Sequence, residues 1–306
     1  MAWQAAAVHR RSLLSGLVCL TALLAACNAP AQAPARLSGL LVNPQLAEVS
    51  GLAASHAHPG VLWLHNDGGN TPYLYAVSRR GRLLARMRVL GVPNTDWEDI
   101  AAFELHGRRY LLLADTGDNG GLRRTLQLHV IAEPRSLAET SLQPAWSIVF
   151  RWPDGPRDCE AVAVDAAAGE VLLVSKKRVP AELFSVPLRP RGEGIVSARA
   201  LGRLAGLSGP GSGAGALAQA PLEAQVTAAD IAPDGRQLAV LTYGQLLVYP
   251  RRGRESWAQA VGRAPQRRAF SWLPQAEALG WAPDGDGVYV TGEITPAPLL
   301  WLRTQD

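Results

Sequence analysis

The chain has 306 residues and a formal charge of +4, and only two of its 30 basic residues are lysines, Lys176 and Lys177. Its arginines are scattered rather than gathered on one element, which excludes a nucleic-acid footprint. Of three cysteines, two fall within the first 27 residues, so the remainder holds Cys159 alone and no intramolecular disulfide.

Residues 1–26 read as a lipoprotein signal peptide. Arg10 and Arg11 precede an apolar run from Ser12 to Ala26, too short to span a bilayer as a folded helix. Leu24-Ala25-Ala26-Cys27 ends that run with a branched residue, two small residues and a cysteine, the pattern of the bacterial lipobox, and makes Cys27 the expected lipidation site. Residues 27–35 then form the lipidated cysteine and a flexible tether. The expectation is an exported monomer, held in the bacterial cell envelope on the periplasmic side or outer surface, touching the membrane through its lipid anchor only. Loss of Arg10 and Arg11 with the signal leaves a charge of +2.

From residue 36 onward short apolar or alternating runs are separated by Gly, Pro and Asp-Gly turns, which predicts an all-β domain over 36–306. "VLWLHND" 61–67, "RYLLLAD" 109–115, "EVLLVSK" 170–176, "RQLAVLTY" 236–243 and "GVYVTGE" 287–293 are examples. "APDG" recurs at 232–235 and 282–285, and five units begin with "SGLA" 50–53, "EDIA" 98–101, "EAVA" 160–163, "ADIA" 229–232 and "EALG" 277–280. A repeat of short strands at this period predicts a β-propeller of five four-stranded blades. Fourth strands are drawn at 83–90, 146–152, 196–204 and 268–273. The fifth unit lacks its last strand, and "RLSGLLVN" 36–43 is available to close the ring. A sixth blade is open at 205–225, whose Gly and Ala content suits a loop or insertion better.

In a propeller blade, the start of the innermost strand and the end of the next share one face. Those positions pair Ser50 with Asp67, Glu98 with Asp115, Glu160 with Lys176, Ala229 with Tyr243 and Glu277 with Glu293. Glu98 of "DWEDIA" 96–101 is thereby expected to join a ring contributed by separate blades. Converging carboxylates either hold protons or share a cation, and Ca²⁺ accepts six to eight oxygen ligands. Glu98, Asp99, Asp118, Asp230 and Glu277 are the expected metal ligands. Asp67, Trp97, Lys176, Tyr243 and Glu293 are the expected ligand-binding residues, with Trp97 placed at the mouth of the funnel. Asp115, Glu160 and His65 are the candidates for proton handling. Asp and Asn are also ordinary turn formers, the competing role for each acid taken singly. Nucleophile-elbow, zincin and phosphate-loop motifs are absent from the sequence.

The string "SGLA…LWLHNDGG…DWEDIA…ADTGDN…DCEAVAVD…TAADIAPDGR…AEALGWAPDG" resembles uncharacterised exported bacterial β-propeller lipoproteins related to the phytase-like, or esterase-like, propeller group. The resemblance covers nearly all of 45–303 and implies that Glu98, Asp99, Asp115, Asp118, Glu160, Asp230 and Glu277 are recurring acids. Cys159 departs from it, standing where a small residue is expected. Three functional readings follow: a lipid-anchored propeller whose acidic funnel binds a divalent cation and a small polar ligand; a calcium-dependent phosphoester, ester or lactone hydrolase; and a scaffold for another envelope protein.

Overall fold

The computed structural model describes residues 35–192, 194–207, 221–270 and 273–304. The expected signal, Cys27 and the tether up to residue 34 lie outside these residues, as does 208–220 of the Gly/Ala-rich segment.

Strand β1 (Arg36–Leu41) is followed by β2 (Val49–Ala54), β3 (Val61–Asn66), β4 (Tyr73–Ser78) and β5 (Leu83–Val89), the last four forming the first blade. The second blade comprises β6 (Trp97–Leu105), β7 (Arg108–Asp115) and β8 (Leu126–Ala132), then, past the short β9 (Ser141–Leu142), β10 (Pro144–Arg151). The third holds β11 (Ala161–Asp165), β12 (Glu170–Val174) and β13 (Glu182–Pro187) and, past β14 (Val196–Ser197), β15 (Arg199–Arg203). The fourth is β16 (Val226–Ile231), β17 (Gln237–Thr242), β18 (Gln245–Pro250) and β19 (Gln266–Ala269). The fifth is β20 (Ala276–Trp281), β21 (Gly287–Gly292) and β22 (Ala297–Arg303).

The fifth sheet has the order β1-β22-β21-β20, so the N-terminal strand closes the ring as expected. Two sheets count five strands because β9 joins β5 and β14 joins β10, both in parallel. Each short strand thus ties its segment to the outer edge of the preceding blade.

The inner strands β2, β6, β11, β16 and β20 adjoin one another cyclically. All six residues of β2 and of β20 are buried. A strand covered on both faces reads as a continuous apolar run rather than an alternating one. The interior divides into five hydrophobic clusters, each between two neighbouring blades. Each inner hairpin turns on a glycine with positive φ, at Gly60, Gly107, Gly169, Gly235 and Gly285. A side chain is disfavoured in that conformation, which explains the recurring "PDG" and "HG" signals.

The register also corrects the reading of the fourth repeat. Inner strands β2, β6, β16 and β20 each carry a register shift near their start, at Val49/Gly51, Trp97/Asp99, Val226/Ala228 and Ala276/Ala278. The residues inside these shifts are Ser50, Glu98, Thr227 and Glu277. The fourth repeat therefore aligns on "TAAD" 227–230, not on "ADIA" 229–232. Asp230 lies three residues beyond the ring position at Thr227, not one residue beyond it as the "ADIA" frame implied.

Candidate functional site

Asp67 follows β3, Asp96 precedes β6, and Glu98 sits in the bulge of β6. Their ligand atoms lie within 4.8 Å of one another. Asp158, Glu160 and the same Glu98 form a second triad with the same spread. Five carboxylates from three blades therefore converge, and Glu98 belongs to both groups. Glycine makes the approach feasible. A Cβ at Gly117 would strike Glu98 Oε1 and the Asp96 carboxyl, and one at Gly68 would strike Asp96 Oδ1. The loop after β7 is drawn over the cluster by the amides of Thr116 and Gly117, which donate to the Asp96 carbonyl at 3.1 and 3.2 Å.

The two triads differ in countercharge. Glu160 is paired with Lys176, and the Lys177 ammonium lies 2.8 Å from Asp158 Oδ2. Asp67, Asp96 and Glu98 form no ion pair among the described residues. Ser50 donates its hydroxyl to the Glu98 carbonyl at 2.9 Å and to Oε2 at 3.3 Å, and Gly68 donates its amide to Asp67 Oδ1. Burial pushes the Glu98 carboxyl well above the usual range, with Glu160, Asp67, Asp96 and Asp158 adding repulsion. Asp96 is half-buried, and desolvation followed by the Asp67 charge raises it to about 6. Burial raises Asp67 and Glu160 as well, the latter despite Lys176.

Beside the second triad, Lys176 lies 5.3 Å from the Tyr243 ring centroid, and Tyr243 donates its hydroxyl to Glu277 Oε1 at 2.7 Å. Burial raises Glu277 to about 7, against the Tyr243 hydrogen bond. Glu293 accepts from the Gln275 side chain and is raised by burial. Lys176, Tyr243, Glu277 and Glu293 thus form a sector of mixed charge next to the carboxylates.

Other expected residues lie elsewhere or are already engaged. Asp99 is fully buried; Oδ1 accepts from the Ile100 amide at 2.9 Å, and Oδ2 accepts from the Val162 and Ala229 amides at 2.9 and 3.2 Å. Its carboxylate links three inner strands instead of facing the mouth. Asp230 likewise accepts from the Ile231 and Trp281 amides. It lines a cavity of about 740 Å³ at the opposite end of the ring, with Glu104, Asp165, Arg251 and Trp281. Asp118 shapes its own loop by accepting from the Leu122 and Arg123 amides. Asp115 lies 2.6 Å from the Arg123 guanidinium.

Trp97 is not at the mouth: it is fully buried between the first two blades, its indole donating to the Pro93 carbonyl at 3.1 Å. The residue that precedes the bulge points into the blade interface, and Glu98 turns into the buried carboxylate cluster. His65 is also fully buried, edge-on to Trp97 at 5.7 Å, with Nδ1 near the Asn66 carbonyl at 3.1 Å. Burial lowers its pKa to about 4, leaving a neutral ring packed away from solvent. Burial likewise pushes the Cys159 thiol upward, leaving it inert.

Asp96 and Asp158 were not among the expected site residues, although both belong to the cluster. The signal was present: each stands two residues before a ring glutamate, in "DWE" 96–98 and "DCE" 158–160.

Comparison with known proteins supports the architecture. No protein-family model matches the chain, and no curated protein does. Among solved structures, the PQQ-bound aldose sugar dehydrogenase of Streptomyces coelicolor aligns with 89% of this chain and 98% of its own, at a TM-score of 0.51 and 12% identity. A nidogen/laminin complex aligns more loosely, at a TM-score of 0.46 and 14% identity over 80% of this chain and 73% of that one. At such identity the similarity shows the β-propeller fold alone.

Proposed function

We propose that this propeller holds a divalent cation, Ca²⁺ in the first instance, where Asp67, Asp96 and Glu98 meet, and binds a polar ligand on the same face. One observation carries the reading: three carboxylates with ligand atoms within 4.8 Å and no ion-paired base among the described residues. Close anions disfavour one another's charged forms unless a cation intervenes. Together they offer up to six oxygens, the number from which a calcium site is built, with water completing the shell. In the second triad two of the three carboxylates are paired with Lys176 and Lys177, which makes it a poorer cation site. It suits the polar ligand, alongside Tyr243, Glu277 and Glu293. The "LAAC" pattern at 24–27 supports the reading of a lipid-anchored protein of the cell envelope.

A hydrolase reading uses the same cluster. Asp96, half-buried with a pKa of about 6, is a better general base than the enclosed His65. Calorimetric titration of chelator-stripped protein with Ca²⁺ tests the cation, and the expected result is saturable heat that Glu98→Gln weakens at least tenfold. Absence of heat together with an unchanged melting temperature removes the cation from the account. Ester and phosphoester panels run on wild type and Glu98→Gln then separate an enzyme from a binder.

A further inference from the structure

Strand β1 forms the outer edge of the fifth blade, and its apolar side chains do not all turn inward. Leu37 is 68% exposed, Leu40 46%, and Val42, just beyond the strand, 60%. The turn between β4 and β5 packs against this strand: Ser38 donates its hydroxyl to the Arg79 carbonyl at 2.7 Å, and the Leu40 amide to the Arg80 carbonyl at 3.4 Å. Arg36, Arg79, Arg80 and Arg82 are exposed along this seam. Arg36 lies over the Trp301 ring at 5.9 Å and Arg79 over the Tyr289 ring at 5.8 Å. None of the four forms an ion pair among the described residues. Asp284 acts electrostatically on the same Tyr289 that Arg79 faces. The seam therefore combines exposed aliphatic side chains with four unpaired guanidiniums.

We propose that this edge docks on an anionic phospholipid surface. Aliphatic side chains with interleaved cations are the composition that partitions into a charged headgroup region. The position of the chain terminus points to the same occupant: the tether 27–35 runs directly into β1. Nine residues span at most roughly 30 Å, so an acyl group on Cys27 holds this edge within that distance of the bilayer. Such tethering raises the local lipid concentration and lets a weak docking face act. In this respect the inference rests on the lipid-anchor reading, although the edge's chemistry stands without it.

The test is hydrogen–deuterium exchange of the full chain on phosphatidylcholine vesicles with and without phosphatidylglycerol. The expected result is several-fold slower exchange in segments 36–42 and 78–84 on the anionic vesicles alone. Arg79→Glu/Arg80→Glu abolishes that protection with an unchanged melting temperature. Arg191→Glu/Arg254→Glu, with the same net charge change on other edges, retains it. Equal exchange on both vesicles overturns the proposal, as does protection lost equally in the control variant. Intact mass of the Cys27-bearing peptide reads the anchor separately. An unlipidated chain that still shows the charge-dependent protection keeps the docking face and discards the anchor. A lipidated chain without protection does the reverse.

Discussion

Replacing Asp99 by alanine separates a scaffold acid from a cation ligand. Its carboxylate receives three buried amides, from Ile100, Val162 and Ala229, so truncation strands three donors at the centre of the ring. Each unsatisfied buried donor costs about 1–3 kcal/mol, against which the relief of a desolvated carboxylate must be set. Burial raises the Asp99 pKa well above its ordinary value, so that relief is real. A net loss of about 3 kcal/mol is expected, or roughly 6–12 °C in melting temperature for a domain of this size. Asp99→Asn keeps one carbonyl acceptor and should lose about half as much. Ca²⁺ affinity, measured by calorimetry below the melting point, should stay within about threefold of wild type in both variants. Loss of affinity without loss of stability would refute this reasoning and return Asp99 to the list of metal ligands.

Adding a single methyl at Gly117 should break the cation site without removing a carboxylate. Gly117→Ala collides with Glu98 and Asp96 and should lower Ca²⁺ affinity at least tenfold, at about 1–3 kcal/mol of overpacking. Gly120→Ala, whose nearest neighbour is the Leu122 side chain at 3.4 Å, is the matched control in the same titration. Raised carboxylate pKa values make the metal-free protein lose stability as pH rises. The protons are held up to about 6 at Asp96 and about 7 at Glu277 in the fold, but only to about 4 in the unfolded chain. Melting temperature measured in chelator should therefore fall between pH 4.5 and 7.5, and saturating Ca²⁺ should flatten that slope. Lys176→Met leaves Glu160 buried without its cation, which costs about 3–5 kcal/mol by denaturant titration. Protonation of Glu160 at pH 5 should restore part of that loss.

Much of the architecture was legible because propeller strands leave local marks. Repeated "APDG" turns, apolar runs and the unpaired N-terminal segment 36–43 located the hairpins and the closing strand. The fourth repeat was misaligned because "ADIA" resembles "EDIA" more than "TAAD" does. Only the bulge at Thr227, a tertiary feature, fixes the frame. That slip of two residues carried Asp230 to the far end of the ring. Trp97 was misplaced for a related reason, since its direction depends on the bulge at Glu98. The convergence of Glu98 with Glu160 followed from hairpin arithmetic. The buried role of Asp99 did not, because its partners Val162 and Ala229 lie 63 and 130 residues away.

The pairing of β1 with β22 has a consequence for how the molecule is made. The fifth blade gains its outermost strand only when β1 meets β22, so the ring cannot latch until every blade between them has been synthesised. Until then β1 is a strand without its partner, an open edge for a chaperone or a neighbouring copy. Deleting β1 or β22 should reopen that seam and loosen all five blades together.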